Sequence, residues 1–158
     1  MKVLYAGSFD PITCGHLDLI KRCSEKFDDV VVTVFNNISK KYMFSCEERE
    51  EFVRGAVLNL KNVTVDSSSE LVAHYCRKNN IKIVIRGLRA VSDYEYELSM
   101  AAYNKFLNED LETVFMVASP EYSFVSSSGV KEIAMYDEKF KELVPENVVE
   151  SLRKKLGR

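Results

Sequence analysis

The segment Gly7–His16 combines glycine, hydroxyl and imidazole residues in a pattern that suits phosphate binding. It leads directly into an amphipathic stretch, so a helix is predicted to begin near His16. The first turn of a helix has free backbone N–H groups and a partial positive charge, and both stabilise a bound phosphate. His16 would donate a hydrogen bond to a phosphoryl oxygen there. In the alternative interpretation, Asp10 and Gly15 only shape a turn and His16 only begins the helix.

A second candidate is the segment Arg86-Gly87-Leu88-Arg89, in which two arginines are predicted to share one loop after a buried strand. Planar guanidinium groups make bidentate contacts with phosphate. Arginines in loops are also common solvated surface residues, and that alternative stays open. The position after a strand favours binding, because ligands of parallel sheets bind beyond the carboxyl ends of the strands.

A third candidate is the serine triplet Ser126–Ser128, which precedes an amphipathic run that contains Lys131. One hydroxyl is enough to cap a helix. Three hydroxyls together with free N–H groups and a lysine therefore favour the binding of a triphosphate. The triplet 67–69 also precedes a helical run but has no cation nearby, and we predict that it forms a turn and a cap.

Two adjacent lysines, Lys40 and Lys41, follow the second predicted strand. A lysine is a mobile point charge that can follow the charge that moves during phosphoryl transfer, although two solvated surface lysines are the simpler alternative. Asp93 and Glu95 are interpreted as favourable charges in the first turn of a helix. The sequence contains no pair of carboxylates in the pattern of a hydrolase site, and none of its serines lies in a nucleophile-elbow pattern. Walker A spacing is also missing.

Five short β-rich runs alternate with segments of helical spacing along the chain. The runs are Val3–Ala6, Val30–Phe35, Val63–Val65, Ile81–Ile85 and Thr113–Val117. This alternation predicts an α/β fold: a single doubly wound, Rossmann-like domain over residues 1–158 with a five-stranded parallel sheet and helices on both faces. The first and fourth strands are expected to be neighbours at the point where the strand order reverses.

Capping signals precede several of the predicted helices. Ser45 and Glu48 form a capping box, and Ser69 and Ser92 are predicted to cap the helices that follow them. A C-terminal helix is predicted after Pro145, from about Glu146 to Leu156.

The composition indicates a cytoplasmic globular protein. Of 158 residues, 46% are hydrophobic and 29% are charged. The 22 basic and 24 acidic residues give a net charge of -2, which argues against nucleic-acid binding. The four cysteines are widely spaced, so neither a metal cluster nor a disulfide framework is predicted. The N-terminal apolar run is too short for a signal peptide or a membrane span, and the reducing cytosol is the expected compartment.

Three segments together resemble a known family. The segments Gly7–Pro11 and Thr13–His16 resemble the signature of the nucleotidyltransferase superfamily, whose usual form is His-x-Gly-His. The segments Ile85–Arg89 and Tyr122–Ser128 narrow the resemblance to the bacterial phosphopantetheine adenylyltransferases, over nearly the whole chain. The resemblance implies transfer of the adenylyl group of ATP to 4′-phosphopantetheine, giving dephospho-coenzyme A and pyrophosphate in coenzyme A biosynthesis. It also implies the use of Mg²⁺ and assembly as a homohexamer, with no nucleic-acid or membrane partner.

The same resemblance implies roles for individual residues. The implied catalytic residues are His16, Lys40 and Arg86. The implied ATP contacts are Ser8, Phe9, His16, Gly87, Leu88, Arg89, Glu97, Tyr122, Ser123, Phe124, Val125, Ser126, Ser127 and Ser128. The implied phosphopantetheine contacts are Ser8, Lys40, Arg86 and the backbone near Val72. No protein ligand to the metal is implied, because the Mg²⁺ would lie on the leaving phosphates.

The chain departs from the family pattern at a few positions. Thr13 occupies the place of the first histidine of the superfamily, as is common in this branch, and Lys131 replaces a frequent arginine. Tyr42 replaces a frequent proline in the lysine loop, and residues 136–139 replace a glycine-rich turn.

Two rival functions are compatible with parts of the sequence. A sister nucleotidyltransferase acting on nicotinamide mononucleotide or glycerol phosphate would share the first loop. A non-catalytic nucleotide sensor would bind ATP without turnover, and His16 and Lys40 would then have no catalytic role.

Overall fold

The computed structural model describes residues 1–158 and contains one five-stranded sheet. Its strands are β1 (Lys2–Gly7), β2 (Asp29–Phe35), β3 (Val63–Ser68), β4 (Ile83–Leu88) and β5 (Glu112–Val117). All neighbouring strands are parallel, and their order is β3-β2-β1-β4-β5. The strand order reverses between β1 and β4, so the predicted doubly wound sheet and the predicted neighbours at its switch point are confirmed.

Six α-helices connect and follow the strands. They are α1 (Cys14–Lys26), α2 (Cys46–Ala56), α3 (Val72–Lys78), α4 (Val91–Leu107), α5 (Ser127–Ala134) and α6 (Glu146–Lys155). Two 3-10 helices, Pro120–Tyr122 and Glu138–Leu143, lie on either side of α5. The second one begins within residues 136–139, where the Asp137 side chain accepts a hydrogen bond from the backbone N–H of Lys139.

The core is divided between the two faces of the sheet. One cluster of 22 buried residues joins alternate strand positions, such as Val3 and Tyr5, to the helices α1, α2, α5 and α6. A smaller cluster of 9 buried residues joins the intervening positions, such as Leu4 and Ala6, to α3. Successive side chains of a strand point to opposite faces, so strands covered on both sides have near-continuous apolar sequences. The predicted placement of helices on both faces is confirmed.

Two strands end three residues later than predicted, β4 at Leu88 instead of Ile85 and β3 at Ser68 instead of Val65. The later end of β4 corrects the loop assigned to the arginines. Arg86, Gly87 and Leu88 belong to β4 and pair with β5, so only Arg89 follows the strand. Gly87 permits a close approach of helix α1, since an added Cβ would lie 2.5 Å from Leu19 Cδ1. Backbone pairing with a neighbouring strand continues past the apolar residues from which the strand end was predicted.

The other strand that extends further is β3, where Ser67 and Ser68 pair with β2 rather than forming a turn. The predicted serine caps of the two helices that follow are also wrong. Helix α3 begins after Leu71 and helix α4 after Ala90, and neither N-cap side chain makes a capping hydrogen bond. The capping box of Ser45 and Glu48 at α2 is confirmed, because those two residues bond each other reciprocally.

None of the helices combines the length and the apolar character that a membrane span requires.

Candidate active site

A cleft of about 410 Å³ lies at the carboxyl ends of the strands, over the switch point between β1 and β4. Three of its walls come from segments far apart in the chain: the loop after β1, the end of β4 and the start of α5. Its lining includes the five predicted cationic groups together with the serine triplet: Lys40, Lys41, Arg86, Arg89, Lys131, Ser126, Ser127 and Ser128. The predicted phosphate-binding segments therefore converge on one cavity.

A second cavity of about 160 Å³ adjoins the first and includes Val72 and residues of α4. The two cavities share part of their lining, namely Ala6, Gly7, Ser8, Lys40, Arg86 and Glu97. Lys40 and Arg86 consequently face both spaces. An anion held at this shared wall would lie next to an anion in the larger cleft.

The loop after β1 is held in an unusual backbone conformation by buried contacts. Phe9 has a positive φ of 50° and is 2% exposed, with its ring below Gly7. An added Cβ at Gly7 would lie 2.9 Å from Phe9 Cζ, so glycine is required for this close approach. The Phe9 ring also packs edge-on against the ring of His16, with the centroids 5.1 Å apart. The position of the His16 ring therefore depends on the fold of this loop.

The buried carboxylate of Asp10 connects three segments around the cleft. It accepts hydrogen bonds from the backbone N–H groups of Met43 and Phe44 at 2.9 and 3.0 Å, and from Lys131 Nζ at 3.0 Å. Asp10 thus joins the loop after β1 to the loop after β2 and to α5. The local sequence predicts only a turn at Asp10, because no local pattern indicates partners so far away along the chain.

His16 lies in the first turn of α1, and its ring is oriented by the residue that caps the helix. The Thr13 backbone N–H donates to His16 Nδ1 at 3.1 Å, and Thr13 Oγ1 accepts from the His16 backbone N–H at 3.3 Å. Since Nδ1 accepts a hydrogen bond, the proton of the neutral ring is on Nε2. The ring lines the cleft, so Nε2–H is the group available to a bound phosphate.

His16 is neutral over the ordinary working pH range. Burial, followed by the positive charges of Arg86 and Arg89, lowers its pKa to about 4. A neutral imidazole can still donate a hydrogen bond from Nε2.

In the ligand-free protein, the Cε1 proton of His16 should show no titration between about pH 6 and pH 8 in NMR spectra. Its chemical shift should begin to change only as the pH falls towards about 4, because the lowered pKa of His16 keeps the ring unprotonated at higher pH. The signal of His74 is identified by its loss in His74→Gln. A midpoint of His16 near the ordinary histidine value would contradict the burial of a neutral ring.

Arg86 is held by a carboxylate from α4. Its Nε and Nη2 atoms donate to the two oxygens of Glu97 at 2.8 and 2.6 Å, and its Nη1 atom donates to the carbonyl oxygen of Ala6. Burial alone would lower the pKa of Arg86, but the hydrogen bonds and charge of Glu97 raise it above the ordinary value. Glu97 therefore orients a permanent cation at the wall shared by both cavities. The ATP contact implied for Glu97 stays a prediction.

Arg89 connects the end of β4 to the loop before α5. Its guanidinium donates to the carbonyl oxygen of Val125 at 2.9 Å and to the carboxylate of Asp93 at 3.1 Å. Asp93 lies in the first turn of α4, as expected of a helix-dipole residue, and it additionally holds Arg89 in place. The side chain of Arg89 is 36% exposed, so part of the cation remains accessible from the cleft.

The three serines at the start of α5 have different roles. Ser126 caps the helix through the backbone N–H of Gly129, and Ser127 Oγ donates to the carbonyl oxygen of Pro11 at 2.8 Å. Ser128 is exposed and lines the cleft. One serine thus suffices as a cap, as expected, and a second ties α5 to the loop after β1. The free N–H groups of the first turn and the Ser128 hydroxyl are left for a ligand.

Most of the other residues implied as nucleotide contacts line the larger cleft, including Ser8, Phe9, Gly87, Tyr122 and Val125. Three do not line it, namely Leu88, Ser123 and Phe124. The Phe124 side chain is 68% exposed. Their ATP contacts stay predictions.

The loop that carries the two lysines has a conformation defined by two hydrogen bonds to Asn37. The Tyr42 hydroxyl accepts from the backbone N–H of Asn37 at 2.9 Å, and the Lys40 N–H donates to the carbonyl oxygen of Asn37 at 3.0 Å. Lys40 and Lys41 are exposed and both line the larger cleft.

The arrangement can hold two anionic groups side by side and stabilise charge that develops between them. It offers an imidazole donor, guanidinium and ammonium groups, and the N-termini of α1 and α5. No group of three or more histidine, cysteine, aspartate or glutamate side chains is arranged to hold a metal ion. A doubly wound sheet with this cleft at its switch point defines a nucleotidyltransferase-like site.

Comparison with known proteins agrees with this class. The model of the cytidylyltransferase-like family matches residues 4–133. A phosphopantetheine adenylyltransferase from Clostridium tetani is 50% identical over 152 residues, covering 96% of this chain and 95% of its own. One from Thermotoga neapolitana is 50% identical over 156 residues, covering 99% and 97%. The chain belongs to the phosphopantetheine adenylyltransferase family of nucleotidyltransferases.

Solved structures support the fold. A bifunctional NMN adenylyltransferase/ADP ribose pyrophosphatase from Francisella tularensis aligns with a TM-score of 0.69 at 12% sequence identity. The alignment covers 97% of this chain and 49% of that one, so the chain spans about half of the larger protein. At this level of identity the similarity concerns the fold alone.

Proposed function

We propose that this chain transfers the adenylyl group of ATP to 4′-phosphopantetheine, giving dephospho-coenzyme A and pyrophosphate, as a step of coenzyme A biosynthesis. The single observation that carries the proposal is the pair of adjoining cavities with Lys40 and Arg86 on their shared wall. The larger cleft suits ATP. The smaller cavity, which reaches Val72, suits the pantetheine arm. The acceptor phosphate would then lie at the shared wall, beside the α-phosphate of ATP.

The reaction needs no nucleophilic side chain, because the acceptor phosphate is itself the nucleophile. One of its oxygens attacks the α-phosphorus in line, the bond to the β-phosphate oxygen breaks, and pyrophosphate leaves with that electron pair. Lys40 and Arg86 hold the acceptor, and His16 Nε2–H stabilises charge on an equatorial oxygen of the α-phosphate. Because the site holds the acceptor phosphate and the α-phosphate of ATP in this geometry, the reaction does not depend on a rare collision of the two anions in solution.

The phosphates of ATP would bind at the start of α5. Donors there are the backbone N–H groups of the first turn of α5, the Ser128 hydroxyl and the Arg89 guanidinium. Lys131 also lines this part of the cleft, where its ammonium group pairs with Asp10. We propose that Mg²⁺ enters as part of the substrate, on the phosphates of ATP, where its ligands are phosphate oxygens and water. The protein then supplies the fixed cations and amide groups that surround this complex.

The pure protein, incubated with ATP, Mg²⁺ and 4′-phosphopantetheine, should form dephospho-coenzyme A, identified by the mass of the product. Pyrophosphate should appear in equal amount. Parallel reactions with nicotinamide mononucleotide and glycerol 3-phosphate test the sister activities. Adenylylation of one of these in preference to phosphopantetheine would overturn the proposed acceptor, and ATP binding without pyrophosphate release would favour the nucleotide sensor.

We also propose that the chain acts in the cytoplasm, without a nucleic-acid or membrane partner. All four cysteines are free, which suits a reducing compartment. The net charge of -2 gives no general attraction to nucleic acid.

The proposed homohexamer agrees with an uncovered apolar face on α4 and the edge strand β5. Large apolar side chains on these elements are exposed: Val91, Tyr94, Tyr96, Leu98, Tyr103, Phe106, Val114 and Val117. Exposed large apolar side chains concentrated on one helix and the edge strand next to it are typical of a subunit interface. The number of six subunits comes from the family resemblance.

In light scattering after size exclusion, the wild-type protein should have a mass of about 109 kDa, as expected for six chains of 18.1 kDa. Phe106→Glu should lower this mass, because it places a charge on the apolar face, where Phe106 is 83% exposed. Leu58→Glu is the matched control at a residue 80% exposed after α2. An unchanged mass for Phe106→Glu, or the same fall in both variants, would contradict this interface.

A further inference from the structure

Arg49 is a cation that is entirely buried, although it lies on the helix α2 and outside both cavities. Its side chain is 0% exposed. Its Nη1 atom donates to the carbonyl oxygens of Ser8 at 2.8 Å and Phe35 at 3.4 Å, and its Nη2 atom donates to Asn36 Oδ1 at 2.6 Å. All these partners lie at the ends of β1 and β2, where the loops of the candidate site begin.

No carboxylate neutralises Arg49. It takes part in none of the ion pairs of the structure, and its Nε atom has no hydrogen-bond partner. A buried charge without a counterion is costly, and apolar residues of similar size usually stabilise a core at least as well. The guanidinium therefore contributes hydrogen bonds that an apolar side chain could not make, because its fixed fork joins the ends of β1 and β2.

The ring of Tyr42 provides the remaining contact. The guanidinium carbon lies 3.8 Å from the ring centroid, within the range of a cation–π interaction. The Tyr42 hydroxyl in turn accepts from the Asn37 N–H, and the Asn37 carbonyl accepts from the Lys40 N–H. A continuous chain of contacts thus leads from Arg49 to the backbone of Lys40.

We propose that Arg49 is a positioning residue, which sets the place of Lys40 relative to the loop after β1 by holding Asn36 and Tyr42 at the two ends of the lysine loop. Its effect on the reaction rests on the proposed function, in which Lys40 holds the acceptor phosphate. Asp10 separately holds the backbone N–H groups of Met43 and Phe44, so the chain beyond Tyr42 keeps its own anchor when Arg49 is changed.

Arg49→Met keeps an unbranched stem that reaches about as far as Nε and removes the guanidinium fork. Its kcat should fall by about 10²-fold, the scale of a misplaced catalytic group, with little change in the KM for ATP. Arg54→Met is the matched control on the same helix, because Arg54 is exposed and pairs with Glu50, and its kinetics should be unchanged. In a Lys40→Ala background, Arg49→Met should lower kcat by less than about 3-fold more, since the two residues act as a unit. A merely structural role would lower kcat equally in both backgrounds and would overturn the proposal.

Limited trypsin digestion gives a readout that does not depend on the reaction. Cleavage after Lys40 and Lys41, followed by mass spectrometry, should be about 10-fold faster in Arg49→Met than in the wild type or Arg54→Met, because the loop opens more often. Tyr42→Leu removes the ring contact with Arg49 and also the hydroxyl that accepts from the Asn37 N–H, so it should also accelerate this cleavage. Arg49→Lys, which keeps the charge without the fork, replaces Arg49→Met if that variant does not fold.

The two proposals fail in distinguishable ways. Absence of dephospho-coenzyme A from wild-type protein would refute the proposed function, while faster cleavage of the Arg49 and Tyr42 variants would still support the positioning of the loop. An active wild type with Arg49 and Tyr42 variants of unchanged turnover and cleavage would overturn the role of Arg49 alone.

Discussion

Replacing His16 with alanine should lower the kcat of adenylyl transfer by ~10²–10³, the usual scale for the loss of one well-placed transition-state donor. The Thr13 backbone leaves only His16 Nε2–H free to donate, and the ring lines the cleft close to Arg86 and Arg89. Charge on the equatorial oxygens of the α-phosphate grows during in-line attack. A donor fixed before the reaction stabilises that charge without reorganisation. The KM for ATP should change little, because the interaction strengthens mainly in the transition state.

The measurement is steady-state kinetics with ATP and 4′-phosphopantetheine varied separately. His74→Ala is the matched control, since it removes the other histidine from an exposed position on α3. His16→Asn, whose amide retains a donor, should lose less activity than His16→Ala if hydrogen-bond donation is the function of the ring. Unchanged turnover in His16→Ala would remove this residue from the mechanism.

Replacing Arg86 with alanine should raise the KM for 4′-phosphopantetheine by about 30-fold or more, with a smaller effect on ATP. The residue lies on the wall shared by both cavities, where the acceptor phosphate is proposed to bind. Truncating one partner of a buried, hydrogen-bonded charge pair typically costs 2–5 kcal/mol. Part of that cost is the unpaired carboxylate of Glu97, which is only 7% exposed.

The double variant Arg86→Ala with Glu97→Gln separates these two contributions. It removes the unpaired buried charge, so thermal stability should recover relative to Arg86→Ala. Binding of the acceptor should stay weak, because the cation that would hold its phosphate is still missing. Full recovery of the KM in the double variant would mean that Arg86 serves only to neutralise Glu97. Equal losses for both substrates in Arg86→Ala would refute the proposed division of the site.

The structure confirms the sequence predictions of the order and type of the strands and of the doubly wound sheet. The apolar runs predicted five parallel strands buried on both faces, and the alternation with helices predicted the switch point between β1 and β4. The segment Gly7–His16 was predicted to end at the start of a helix, and Thr13 caps that helix at Cys14. The predictions failed at element ends, as for Arg86 in β4, because pairing between strands continues past the apolar pattern.

The amino-acid sequence by itself determined the order of the elements, the sheet type and the edge of the sheet at which phosphate-binding side chains gather. These features follow from the periodic spacing of apolar residues, from helix-capping residues and from the handedness of the crossovers between parallel strands. All of them depend on residues that are close together in the sequence. Only the tertiary structure decided which side chains face each other. Lys131 bonds Asp10 across 121 positions, Glu97 holds Arg86, and the buried Arg49 joins the ends of two strands. Such pairings depend on strand register and on helices packed over them, and no local pattern of residues encodes these long-range contacts.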